Sequence, residues 1–457
     1  MKQLTQQLVL RITPRLAILS VLFFALAFPA LAQDWIRTGT GVGGEKIRLA
    51  AADFKSSGVD PQSAALDKTF NAVLFNDLHQ SGIFEMVSKS FYPVEPIASP
   101  SDVRLDQWAA PPPKASMLAF GSLTANAGSM TVSGWLFDVK SPQNPQVLAK
   151  QYRDAATDAN ARLYAHRFAD EIIFRLGGGL NGIAETKLYF VSSRTGHKEV
   201  WAMDYDGAAQ YAVTQLASIS LSPRVSPDNS RIAFASFYKG GPNIAMWSNE
   251  LGRLVKFPFF GGTNLSPAWS SDGTHIAFSS SRAGYPEIYV CDQNGNNLVQ
   301  LTAYHGKDHG PDVSPVWNPK TNAQIAWVSG RTGLPQIYIM DSDGTNVQRL
   351  TDQGYAVSPA WSPNGQFIAF AWVRKYGPGA PGASDIYIMD VASKQWVQLT
   401  HDGGRNDFPS WSPDGRHLVY QSTRSGAEQI WSMLADGSQQ TQLTFSGSNS
   451  QPSWSWK

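Results

Sequence analysis

Short apolar runs, four of six with a central Ala, recur along the second half of the chain. They are Leu188-Tyr189-Phe190, Ile232-Ala233-Phe234, Ile276-Ala277-Phe278, Ile325-Ala326-Trp327, Ile368-Ala369-Phe370 and Leu418-Val419-Tyr420. Runs this short, rich in branched and aromatic residues and bounded by turn residues, predict buried strands. A second element, Pro-x-Trp followed by Ser or Asn, ends at Trp269, Trp317, Trp361, Trp411 and Trp454, and a weaker copy, Pro223-Arg224-Val225-Ser226, leads the series. From Val225 onward the intervals are 44, 48, 44, 50 and 43 residues, the period of a four-stranded propeller blade.

The rest of each unit is equally regular. Turns such as Ser412-Pro413-Asp414-Gly415 follow the Pro-x-Trp strand, with Pro fixing φ and Asp accepting a local backbone bond. A second turn often carries Arg and Gly, as in Gly330-Arg331-Thr332-Gly333. A third strand (Ile288-Tyr289-Val290, Ile337-Tyr338-Ile339) precedes a polar fourth strand ending Gln-Leu-Thr or Arg-Leu-Thr. The small central Ala lets one sheet approach the next while the aromatic after it fills the gap. Triplets and Pro-x-Trp strands both number six but run out of phase: the first triplet has no Pro-x-Trp strand before it, and the last such strand has no triplet after it. Pairing that C-terminal strand into the blade begun near Lys187 closes the ring and buries both raw edges.

Ahead of the repeat the pattern changes. Lys46–Ala51 and Ile83–Val87 predict strands, and Asp60 caps a helix whose apolar face runs through Leu66, Phe70, Leu74 and Leu78. Val103–Trp108 predicts a short helix, Met117–Leu123 with Met130–Val139 a hairpin, and Arg162–Leu176 a closing helix before Gly177-Gly178-Gly179. The expected architecture is mainly β: a mixed-sheet α/β domain at 45–180, then a six-bladed β-propeller at 181–457. The chain's extreme N-terminus carries Lys2, Arg11 and Arg15, an apolar stretch from Leu16 to Leu26 broken only by Ser20, and Ala30-Leu31-Ala32. These features predict an export signal over 1–32, followed by a flexible arm at 33–44.

Composition narrows the function. With 457 residues and a formal charge of +1, the chain shows no basic footprint for nucleic acid. No later segment is long and apolar enough for membrane insertion. The single cysteine, Cys291, stands in a column with Met203, Met340, Met389 and Met433 and reads as a core residue. No cofactor is expected: Gly39–Gly44 precedes its strand, where a dinucleotide loop follows one. The Asp-x-Asp-Gly turns at Asp204 and Asp341 lack the later ligands of a calcium loop. His305, Asp308, His309 and Asp312 form the most metal-like stretch, with His401 and Asp402 as further candidates, and they motivate one alternative, a metal-dependent propeller enzyme such as a polysaccharide lyase. Aromatic-rich blades motivate another, a carbohydrate-binding module, which the assignment of most Trp residues to the core disfavours. No G-x-S-x-G elbow occurs, and no catalytic role is expected.

The export signal, the small α/β domain and six blades with Trp-Ser-Pro-Asp-Gly-type turns together resemble the TolB family of the Tol–Pal envelope system. The resemblance covers nearly all of the chain beyond the signal. It implies a monomeric periplasmic scaffold that supports outer-membrane integrity and constriction at division. The peptidoglycan-associated lipoprotein Pal would sit at the propeller mouth and TolA at the N-terminal arm. The matching mouth residues are Gly262, Thr263, Asn264, Leu265, His305, Asp308, His309, Asp312, Tyr355, Arg405, Asn406, Asp407, Ser448 and Asn449. The arm residues are Asp34, Trp35, Ile36 and Arg37, in a segment that does not reproduce the family's familiar arm.

Overall fold

The computed structural model describes residues 46–56, 61–303, 310–373, 382–401 and 403–456. The expected signal, the arm with Asp34, Trp35, Ile36 and Arg37, the cap at Asp60, the residues His305, Asp308 and His309, and Asp402 all lie outside them.

The first domain is a mixed sheet with two long helices on one face. Strands β1 (Ile47–Ala51), β2 (Lys55–Ser56), β3 (Phe84–Met86), β4 (Met117–Asn126), β5 (Ser129–Asp138) and β6 (Gln146–Ala155) form it in the order β3-β1-β4-β5-β6, with β2 beside β4. β1 runs parallel to both its neighbours, whereas β4, β5 and β6 form an antiparallel meander. Helices α1 (Pro61–Gln80) and α3 (Asp158–Leu176) bury Leu66, Phe70, Leu74, Phe168 and Ile172 against Leu123, Val132 and Leu136 of the sheet. Thr157 caps α3, its hydroxyl accepting from the Asn160 amide at 3.2 Å. Gly134 is required where α3 presses on β5, because a Cβ there would meet the Phe168 ring at 2.8 Å. The opposite face is closed by Ile97, Phe120, Phe137 and Trp108, the last from the short helix α2 (Leu105–Ala109).

Six four-stranded antiparallel sheets follow. Their innermost strands are Asn449–Trp454 in the first blade, then Ser220–Val225, Asn264–Trp269, Asp312–Trp317, Tyr355–Trp361 and Asn406–Trp411. The first blade joins Asn449–Trp454 to Lys187–Ser192, with Trp454 opposite Leu188 and Asn449 opposite Ser192. The Trp454 indole donates to the Thr186 hydroxyl at 2.8 Å, and the Ser455 amide donates to the Lys187 carbonyl at 2.8 Å. The ring is therefore closed by its last strand. Between blades the small-then-aromatic pairs Ala233/Phe234, Ala277/Phe278, Ala326/Trp327 and Ala369/Phe370 are completely buried, so side chains, not voids, fill the wedge between sheets.

Two devices recur around the ring. Each inner strand slips register just before its Pro, and the residue there is left-handed: Ser222, Ser266, Ser314, Ser358, Phe408 and Gln451 have φ between 51° and 54°. A bulge leaves one residue unpaired, so a following Pro costs no ladder bond. Five of the six fourth strands hand over to a threonine. The hydroxyls of Thr214, Thr302, Thr351, Thr400 and Thr444 accept from the amides of Val200, Ile288, Ile337, Ile386 and Ile430 at 2.8–2.9 Å. In the same blades the outermost paired segments are only two or three residues long.

The α/β domain touches the ring on the side where the inner strands end. His417 shares a 2.9 Å hydrogen bond with the Gln80 carbonyl, and the Tyr205 hydroxyl donates to Asp77 at 2.6 Å. Asp77 also meets His166 at 2.7 Å, while Arg162 bonds Asp206 at 2.7 Å. Burial holds the Asp77 carboxyl above its ordinary range. Burial alone would depress the His166 ring, but the hydrogen bond and charge of Asp77 outweigh it and raise its pKa.

Candidate functional site

The loops that lead into the inner strands, together with the Arg- and Gly-bearing turns, lie at the other end of the channel. Backbone bonds tie the two sets together there: the amides of Ser193, Ser281, Gly330 and Thr423 donate to the carbonyls of Ser448, Thr263, Pro311 and Arg405. The described mouth residues from the sequence reading therefore gather on one rim, but in two different states.

One group is internal. Asn264, Asp312, Asn406 and Asn449 each open an inner strand and are essentially inaccessible. Asn264 donates to Asn243 at 3.0 Å and to the Gly261 carbonyl at 3.1 Å. Asn406 donates to the Ser384 carbonyl and to Asp385, each at 3.2 Å, and Asn449 donates to Gln429 at 2.8 Å. Asp312 takes a 2.8 Å ion pair from Arg331. Asp407 is also buried; desolvation raises its carboxyl against opposing bonds from Ser358, the Phe408 amide and Arg405. These buried side chains position loops: the three asparagines tie their strand to the preceding blade, and Asp312 holds the arginine of its own blade.

The second group is accessible. Thr263 and Arg405 are exposed, and Leu265, Tyr355 and Ser448 are half-buried. Gly262 has a conformational part: its φ is +63°, and a Cβ would lie 2.8 Å from the Arg282 amide nitrogen.

Sequence reasoning missed what stands beside them. Arg194, Arg331 and Arg424 rise from the second turns, lie over Trp201, Tyr338 and Trp431 at 4.1–5.0 Å from the ring centroids, and reach Asn449, Asp312 and Asn406. The repeating Arg-x-x-Gly turn held the signal, but only the fold shows that its guanidinium crosses to the next strand. Exposed aromatics add apolar anchors to the same rim: Phe259 and Phe445 in loops before inner strands, with Tyr238 and Tyr285 in second turns. Basic groups stacked on aromatics, with large apolar side chains standing clear on a rigid frame, suit protein recognition.

Metal chemistry has one geometric candidate among the described residues: His166, Asp204 and Asp206 converge. Arg162 already sits between the two carboxylates, at 2.7 Å from Asp206 and 3.6 Å from Asp204. A guanidinium thus supplies the positive charge, and the cluster joins the α/β domain to the ring.

Known proteins share this architecture and sequence. A TolB amino-terminal domain family matches residues 40–144, and the TolB beta propeller domain family matches residues 175–376 and 352–457. A Tol-Pal system protein TolB of Actinobacillus succinogenes is 31% identical over 221 residues, covering 48% of this chain and 49% of that one. A namesake from Desulfosudis oleivorans is 32% identical over 203 residues, 44% of each. A TolB homolog of Chlorobium chlorochromatii is 31% identical over 30% of each chain. The chain thus spans at most about half the length of these curated relatives. In three dimensions the crystal structure of TolB from Acinetobacter baumannii superposes with a TM-score of 0.74 over 90% of this chain and 97% of its own, at 24% identity. With both domain families matched in order, and the propeller family alone accounting for more than half its length, the chain belongs to the TolB family.

Proposed function

We propose that this protein is a periplasmic scaffold of the Tol–Pal envelope system. In this reading it catalyses nothing. It docks the peptidoglycan-associated lipoprotein Pal on the loop-lined rim and TolA through residues 33–44, and so supports outer-membrane integrity and constriction at division. The observation that carries the reading is the rim itself. Phe259, Phe445 and Tyr285 are exposed around stacked arginines on a closed ring, whose rigid frame limits the backbone ordering that binding would otherwise cost. Membership of the TolB family, with relatives named for the Tol-Pal system, supports the choice of partners.

Isothermal titration of purified Pal into the full chain tests it. Phe259→Ala and Phe445→Ala should each weaken Pal binding by roughly tenfold or more, as loss of an interface hot spot does. Deleting residues 33–44 should remove TolA binding and spare Pal binding. Pal heat signals that are absent, or indifferent to both Phe variants, would refute the rim assignment.

A further inference from the structure

The channel through the ring is divided by its own backbone. At the level of the bulges, Ser222, Ser266, Ser314, Ser358 and Phe408, with the prolines that follow the last four, narrow it to a space of about 20 Å³. Beyond it, toward the ends of the inner strands, the channel widens into a chamber of about 140 Å³ walled by Trp269, Trp317, Trp361, Trp411, Trp454 and Trp456. One water needs only ~10–15 Å³, so this chamber takes a group of several heavy atoms. It opens among the turns that carry Pro319, Pro363 and Pro413, on the side of the ring where the α/β domain is attached and away from the loop-lined rim.

Arg224 belongs to both cavities and, among the described residues, is the only charged side chain lining either. The other blades place Ala268, Val316, Ala360, Ser410 and Ser453 at its position in the repeat. Among the described residues the guanidinium makes one hydrogen bond, 2.9 Å to the carbonyl of its own neighbour Pro223, and no carboxylate pairs with it. A guanidinium has five N–H donors, arranged to meet an oxyanion two at a time. Removal from bulk water pushes its pKa down to about 10. It remains charged at neutral pH, so the chamber holds an uncompensated cation behind low-dielectric indole walls, where an anion is held more strongly than at an open surface.

We propose that the wide chamber is an oxyanion site, with Arg224 binding a carboxylate or phosphate-like group that enters from the α/β-domain side. The chemistry fits a free small acid or the acidic side chain of a polypeptide reaching into the channel.

Thermal unfolding of the full chain, at ionic strength matched with sodium chloride, gives the test. Sodium succinate and sodium phosphate probe the free anion, and a tetraglutamate peptide probes the polypeptide carboxylate. The wild type should be stabilised in a saturable way by at least one of the three. In Arg224→Gln the half-saturating concentration should rise at least tenfold, and Arg224→Lys should recover part of the response. Bromide-soaked crystals should show an anomalous peak beside the Arg224 guanidinium that the Gln variant lacks. A response to succinate or phosphate assigns the site to a free anion; a response to tetraglutamate alone assigns it to a polypeptide. Equal responses of wild type and Arg224→Gln, or bromide absent from the chamber, overturn the proposal. The unliganded melting temperature of each variant checks that it folds.

Discussion

Replacing Trp454 by Ala tests the idea that the last strand holds the ring shut. The indole is 6% exposed and packs with Leu188, Phe190, Met203, Tyr205 and Leu443. Burying a large aromatic removes about 150–250 Å² from water, worth about 4–6 kcal/mol at ~25 cal/mol per Å². Its hydrogen bond to Thr186 adds about 1 kcal/mol, and residual burial in the unfolded chain takes back 10–40% of the area term. The expected loss is about 3–5 kcal/mol, in line with other large-to-small core substitutions. Trp456, half-buried beyond the strand, is the control and should lose about 1 kcal/mol or less when changed to Ala. Urea unfolding followed by far-ultraviolet circular dichroism gives the energies, and hydrogen exchange locates the damage. Amides of Lys187–Ser192 should lose protection, while those of Gln324–Ser329, across the ring, should keep theirs. A loss below about 1 kcal/mol, or unchanged exchange in Lys187–Ser192, would show that the strand is not a clasp.

Three other outcomes follow from the packing. Cys291 is buried, and desolvation, helped by Asp292, raises its thiol to about 12; a thiol reagent at pH 8 should label it only after denaturation, and rapid native labelling would contradict the burial. Arg331→Met strips the ion pair from Asp312, whose side chain is 2% exposed, and should destabilise by about 3–5 kcal/mol; adding Asp312→Asn should restore part of that in the same urea assay, and an unperturbed single variant would argue against the pair. His166 faces Asp77, Arg162, Asp206 and Tyr205, and its pKa is raised above 6.5. The folded state therefore binds this proton more tightly. The stabilisation is complete below pH 6.5 and is lost as pH climbs through the raised value; His166→Gln should flatten the urea midpoint over that window, and identical pH profiles would count against the charged pair.

Much of the ring was legible because its chemistry is periodic. Trp269, Trp317, Trp361, Trp411 and Trp454 mark each inner strand, and the out-of-phase count of triplets pointed to the shared first blade that the structure contains. Edges were less legible. β6 was not foreseen, because this outermost strand is exposed for most of its length and its polar residues carry no apolar alternation. The closing helix begins at Asp158, ahead of the Arg162 expected from its apolar face, because Thr157 sets the start by capping. At the candidate site, position along the chain located the rim but not the direction of side chains. Asn264, Asn406 and Asn449 turn inward because each opens a strand whose first turn must be tied to the neighbouring blade segment. Arg224 stood out only as a weak copy of a motif; its place on the channel wall depends on the bulge two residues earlier.

The threonine that ends most fourth strands has a consequence for assembly. By taking over the ladder after two or three residues, it shortens the outer edge of five blades to less than a foreign strand needs to zip onto. Association by strand addition is thereby disfavoured at those five edges. The flat ends of the ring are thereby favoured as binding surfaces, and the α/β domain already occupies part of one of them.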